Sequence, residues 1–159
     1  MKKTGIKGWT IAGAVASLTL GLCAGPVAAH HSFAMYDQTK MLTLTGVAYR
    51  FVGQANHAEL YFYLIGPDGK LAKGPDGKNV SWGVEMETAA MVAQQGITAA
   101  SFPAGTIFSV KVNPNRDGRT FGSRVGGSAI AKCPWKTPPA PGQNCSTVAG
   151  SQNLGAAKF

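Results

Sequence analysis

Beyond residue 40, apolar and polar positions alternate with a period of two, as half-buried β-strands require. Residues 41–52 read as a first strand: Leu42, Leu44, Val47, Tyr49 and Phe51 are apolar, and Gly46 is expected as a bulge. Residues 58–65 form a second, made β-prone by Tyr61, Phe62 and Tyr63. Residues 79–87 form a third, where Gly83 is expected to disturb the pleat and put Trp82 and Val84 on opposite sides. Two copies of Gly-Pro-Asp-Gly-Lys, at 66–70 and 74–78, separate the second strand from the third; they are turn chemistry, not a repeat architecture.

The period changes at residues 88–95. Thr88 can cap, Ala89-Ala90-Met91-Val92-Ala93 favours helix, and Gly96 supplies the stop. A fourth strand spans 106–113 through Ile107, Phe108, Val110 and Val112, and Pro114 closes it. Residues 115–123 read as a Gly- and Arg-rich turn, and 124–132 as a weaker fifth strand. The order β-β-β-α-β-β is the connectivity of the OB-fold, and five such strands can close a small barrel filled by side chains. The fold class is therefore mainly β, a small five-stranded OB-like barrel with one short helix; a small β-sandwich is the alternative.

The first 29 residues follow another logic. Lys2, Lys3 and Lys7 precede an apolar stretch over 11–23, and Val27 and Ala29 occupy the −3 and −1 positions of a cleavage site. The stretch is about 13 residues, short of the ~20 a spanning helix needs. Residues 1–29 are thus expected to be a signal peptide, giving a periplasmic or secreted protein that starts at His30 and has no stable membrane span after cleavage. Leu22 stands where lipid attachment at Cys23 would require a small residue, which discounts a lipoprotein. The expected parts are a β-rich domain over 30–132, a Pro-rich loop over 133–145 and a flexible tail over 146–159 with little to bury.

Formal net charge is +8; without Lys2, Lys3 and Lys7, twelve basic residues face seven acidic, a net +5. The basic residues are scattered rather than striped, which argues against nucleic acid as a partner. Cys133 and Cys145, the even pair left after cleavage, are expected to form a disulfide. Closing a loop of this size contributes about 3 kcal/mol in the chain-entropy model.

The segment His30-His31-Ser32-Phe33-Ala34-Met35-Tyr36-Asp37, with Leu42-Thr43-Leu44-Thr45-Gly46-Val47, resembles the opening of an uncharacterised family of exported bacterial proteins, a domain of unknown function. Ala55-Asn56-His57-Ala58 partly matches that family's Asn-Pro-His motif, lacking its proline. Trp82-Gly83-Val84-Glu85-Met86-Glu87 with Met91 and Gly96, and later Arg116-Asp117-Gly118, are similar to its further blocks. The resemblance covers roughly residues 30 to 130 and implies a compartment but no mechanism.

Three histidines bound the metal chemistry. A His30 amino terminus offers its α-amine and ring as a chelate; His57 adds an imidazole, and His31 is a further candidate. Nitrogen donors of this kind suit Cu(II), so copper is the expected metal if one is bound. The competing expectation is an exposed, mobile terminus and a His57 that caps a turn or bonds a backbone carbonyl. No catalytic constellation emerges: Glu85 and Glu87 share a strand face, Ser32 has no identified partner, and G-x-S-x-G is absent. A metal-free binding module would use Tyr63 and Trp82, with Tyr61 and Phe51, or receive an anion at Arg116 and Arg119 beside Arg124. The expected function is an exported binding or accessory protein whose partner is an envelope protein or a small ligand.

Overall fold

Strand β1 (Leu42–Val52) is long enough to serve two neighbours, which is what closes the sheet on itself. Its first half pairs antiparallel with β4 (Ile107–Pro114) and its second with β2 (Glu59–Leu64). β2 pairs antiparallel with β3 (Ser81–Glu85), which pairs in parallel with β5 (Phe121–Arg124), and β5 returns antiparallel to β4. The ring β1-β2-β3-β5-β4 is a closed five-stranded mixed barrel, as the strand order predicts. These features belong to a computed structural model that describes residues 34–53 and 56–155.

The barrel interior is filled by the alternate residues of each strand, among them Leu60, Phe62, Val84, Val110 and Val112, each at most 1% exposed. Phe108 anchors this core, meeting Phe62 and Phe102 edge-to-face at centroid distances of 5.0 and 5.5 Å. Trp82 and Val84 lie opposite the buried Phe62 and Leu60 in an uninterrupted ladder, so both face the interior and Gly83 faces out. The expected irregularity at Gly83 is absent from that pairing. Gly46 is not a bulge either, since it pairs in register with Leu64 and Phe108. Its missing side chain lets the Phe62 ring pack directly on β1: a Cβ there would overlap that ring and stand 2.8 Å from the Tyr63 carbonyl oxygen. The bulge falls at Tyr49, where the β1–β2 register shifts between Ala48 and Arg50.

Helix α1 (Ala89–Gln94) sits between β3 and β4 and buries Val92 in the same core. The Thr88 hydroxyl accepts from the Met91 amide at 3.3 Å, and Gly96 at φ +78° ends the helix. The strand expected over 124–132 starts earlier, at Phe121, and is split. Val112 pairs with Arg124 but Ser109 with Ala131, so the register along β4 slips by four residues around Gly126 and Gly127. The second part is β6 (Ile130–Lys132). Of the tail expected over 146–159, the described residues 146–155 contribute to a short 3-10 turn (Cys145–Thr147) and form β7 (Gln152–Leu154), which pairs with β6 and packs Leu154 on the core. One apolar side chain on a three-residue strand achieves what the composition of that segment conceals.

Cys133 and Cys145 form the disulfide, with a Cα–Cα distance of 5.0 Å. Cys145 is fully buried and its amide donates to Ser109 Oγ at 2.8 Å, which pins the Pro-rich loop to β4. Among the described residues, no helix is long and apolar enough to cross a membrane.

Candidate functional site

His57 stands just before β2 with its side chain 39% exposed. Its Nδ1 lies 3.1 Å from the Met86 carbonyl oxygen, just past the end of β3. A carbonyl can only accept, so this bond puts the ring proton on Nδ1 and leaves the lone pair of the neutral ring on Nε2. Glu85 Oε1 lies 3.7 Å from the same Nδ1. The other Glu85 oxygen accepts from the Tyr36 hydroxyl at 2.9 Å.

Tyr36 belongs to the segment that crosses the outside of the barrel before β1. Backbone bonds from Asp37 N–H to Pro114 O (2.8 Å) and from Arg116 N–H to Met35 O (2.9 Å) tie that segment to the end of β4. The Tyr36 ring stacks on Phe121 at 6.4 Å and is 1% exposed. Burial, then the carboxylate of Glu85, drives its phenol pKa well above the ordinary value. Tyr36 is therefore a fixed hydrogen-bond donor rather than a proton carrier near neutrality.

Glu59 lies directly opposite Glu85 across the β2–β3 ladder, where like charges repel. Its Oε2 accepts from Tyr61 at 2.5 Å. That bond, followed by burial, pushes the Tyr61 phenol up to about 12. Among the described residues neither carboxylate is within ion-pair distance of a lysine or arginine. The result is a small acidic spot, with His57 at its edge, on a basic protein.

The outer face of β1 and β2 is aromatic. The bulge at Tyr49 directs two consecutive side chains, Tyr49 and Arg50, to the outside. Tyr49 stacks on Tyr63 at 4.6 Å and meets Tyr61 at 6.3 Å, while the Arg50 guanidinium carbon lies 5.5 Å from the Tyr61 ring centre. Phe121 extends this face toward Tyr36, 6.4 Å from Tyr61. Gly83 makes room for it, since a Cβ there would overlap the Phe121 ring and stand 3.0 Å from Tyr61.

The residues singled out from the sequence are thus partly brought together. Tyr63 lies on the aromatic face; Trp82 packs against the core. Arg116 donates to the Ala34 carbonyl at 3.2 Å, and Arg119 pairs with Asp117 at 2.6 Å. Arg124 is turned inward onto Glu87 and Gln95, so the three arginines do not converge on one anion position. Glu85 and Glu87 likewise face different partners, Tyr36 and Arg124. His30 and His31 lie outside the described residues. Among those that are described, no group of three His, Cys, Asp or Glu side chains is spaced to hold a metal ion. Tyr36, Glu59 and Arg50 were not singled out from the sequence. Glu59 and Tyr61, two apart on one strand, carry a readable same-face signal; Arg50 needed the bulge and Tyr36 the tertiary fold.

A family model described as a family of unknown function, DUF6152, matches residues 19–124. No curated protein and no solved structure matches the chain.

Proposed function

We propose, for a chain that belongs to the family of unknown function DUF6152, a role as an exported binding or accessory protein that holds copper between a His30 amino terminus and the ring of His57. The observation that supports it is the bond from His57 Nδ1 to the Met86 carbonyl, which orients the ring with Nε2 as the available donor. Metal-bound histidines are commonly held this way by their second nitrogen. The acidic spot of Glu59 and Glu85 favours a cation nearby. Reach is consistent as well. Tyr36 lies six positions after His30, a span that can extend about 20 Å, while Tyr36 and His57 both contact Glu85. The His30 amine and ring would form one chelate, His57 would add the third nitrogen, and His31 is a further candidate donor.

The test is titration of Cu(II) into exported protein whose start at His30 has been verified by intact mass. The expected result is one tightly held copper, with an electron paramagnetic resonance spectrum coupled to two imidazoles. His57→Ala should weaken binding at least tenfold and remove one coupling. Affinity and spectrum unchanged by His57→Ala, or a mature form that retains residues 1–29, overturns the proposal.

A second reading is favoured by the Tyr49–Tyr63 stack and its neighbour Tyr61, which offer ring faces to a peptide or saccharide without metal. Such a binder would be indifferent to His57→Ala and sensitive to Tyr63→Ala. The two readings therefore separate on a pair of variants.

A further inference from the structure

The end of β1 and the face of α1 that looks toward it enclose a groove of about 500 Å³. Its walls are Phe51 and Val52 on the strand and Ala89 and Ala93 on the helix, and the fully buried Ile97 also lines it. Ala89 and Ala93 are four apart and therefore adjacent on one helix face. Larger side chains there would fill the space. The volume lies within the range of small-ligand sites.

Two polar side chains border this apolar space. Thr98 is occupied in its own turn, where its hydroxyl oxygen accepts from the Ser101 amide at 3.2 Å. Arg50 is the single charged residue of the lining. Among the described residues it makes no ion pair; its guanidinium instead lies over the Tyr61 ring. An apolar trough with one uncompensated cation at its border complements a molecule with an apolar body and one anionic end.

We propose that this groove binds a medium-chain carboxylate, its chain against Phe51, Ala89, Ala93 and Ile97 and its carboxylate on Arg50. His57 does not line this groove, so the failure of a copper site and the failure of this one are distinguishable.

Calorimetric titration of the protein with decanoate, below its micelle concentration, tests the assignment, with decyltrimethylammonium as the cation of matched chain length. Saturable one-to-one binding of decanoate is expected, at least tenfold tighter than the ammonium. Arg50→Gln should weaken decanoate at least tenfold without improving the ammonium much beyond parity. Ala93→Leu should abolish decanoate binding by filling the groove. Ala93 is exposed and leucine is nearly as good a helix former, so an unchanged urea midpoint is expected to confirm an intact fold. His57→Ala should leave decanoate affinity unchanged. Lack of saturable binding, equal affinity for the two head groups, or insensitivity to either Arg50→Gln or Ala93→Leu overturns the proposal.

Discussion

The Tyr36 hydroxyl donates to Glu85 Oε2 at 2.9 Å, joining two residues 49 apart in sequence across the outside of the barrel. This bond fixes where the chain enters the domain, because Tyr36 also stacks on Phe121 and is bridged to Asn115. It also holds Glu85 beside His57.

Removing only the hydroxyl should therefore be felt in stability. A hydrogen bond to a charged acceptor is worth about 1.5–3 kcal/mol. Tyr36→Phe should lower the unfolding free energy by an amount in that range, read from urea denaturation. Tyr36→Ala should cost about 3–5 kcal/mol, as loss of a buried aromatic does. A Tyr36→Phe variant as stable as the parent would show that the bond contributes nothing beyond ring packing.

Tyr61 gives a prediction in pH. Its phenol is raised to about 12, first by the bond to Glu59 and then by burial. A group whose folded pKa lies above its unfolded value contributes stability fully present below the unfolded value, about 10, and lost as pH rises through about 12. Titration followed by phenolate absorbance should place Tyr61 at that upper end. Glu59→Gln removes the negative acceptor and should bring this step down toward 10. A titration curve unaltered by Glu59→Gln would show that the carboxylate does not hold the phenol.

Particular residues show why much of the barrel was legible and much of its surface was not. Leu60, Phe62, Val84, Val110 and Val112 sit on two-faced strands, so alternation alone assigns them to the interior. Thr88 and Gly96 mark α1 by local chemistry that needs no tertiary partner. The fifth strand was displaced because Gly122, Ser123 and Arg124 are buried without being apolar. No hydrophobic pattern announces them. Trp82 is a ligand-surface candidate by residue type alone, and alternation does not say which aromatics point out; the unbroken pairing with Phe62 turns it to the core, while Gly83 accommodates Phe121 on the outside. The Tyr36–Glu85 and His57–Met86 contacts join distant segments, and nothing in local spacing encodes them.

Gly46 should tolerate no side chain. A Cβ there would meet the Phe62 ring inside the barrel and the Tyr63 carbonyl, and a backbone oxygen cannot swing away as a side chain can. Gly46→Ala should destabilise by about 1–3 kcal/mol or more through overpacking. Gly126, with open space around its position and no left-handed backbone, is the control. Gly126→Ala should change stability by no more than about 1 kcal/mol, in the stabilising direction if it acts through the unfolded chain. Comparable losses at both positions would remove the steric explanation.

Arg124 provides the largest predicted effect from a single charge. It lies on β5 opposite the interior Val112, its side chain 1% exposed. One Nη donates to Glu87 Oε1 at 2.8 Å and to Gln95 Oε1 at 2.7 Å, linking β5 to residues on both sides of α1. A second Nη, the Nε and Glu87 Oε2 are buried without a protein partner among the described residues. The guanidinium is thus only partly compensated, and so is the carboxylate that faces it. A buried pair of this kind contributes little when both members are replaced together, because desolvation offsets their attraction. Removal of one member is different: it strands the other charge at a cost of about 3–5 kcal/mol. Arg124→Met should accordingly destabilise by about that amount in urea unfolding. Adding Glu87→Gln to Arg124→Met should restore a substantial part of the loss, since no charge is then left uncompensated. The coupling between the two positions, taken from the complete double-mutant cycle, should amount to about 1–3 kcal/mol. Additive effects of the two substitutions would show that Arg124 acts through packing alone and that the Glu87 contact carries no stability.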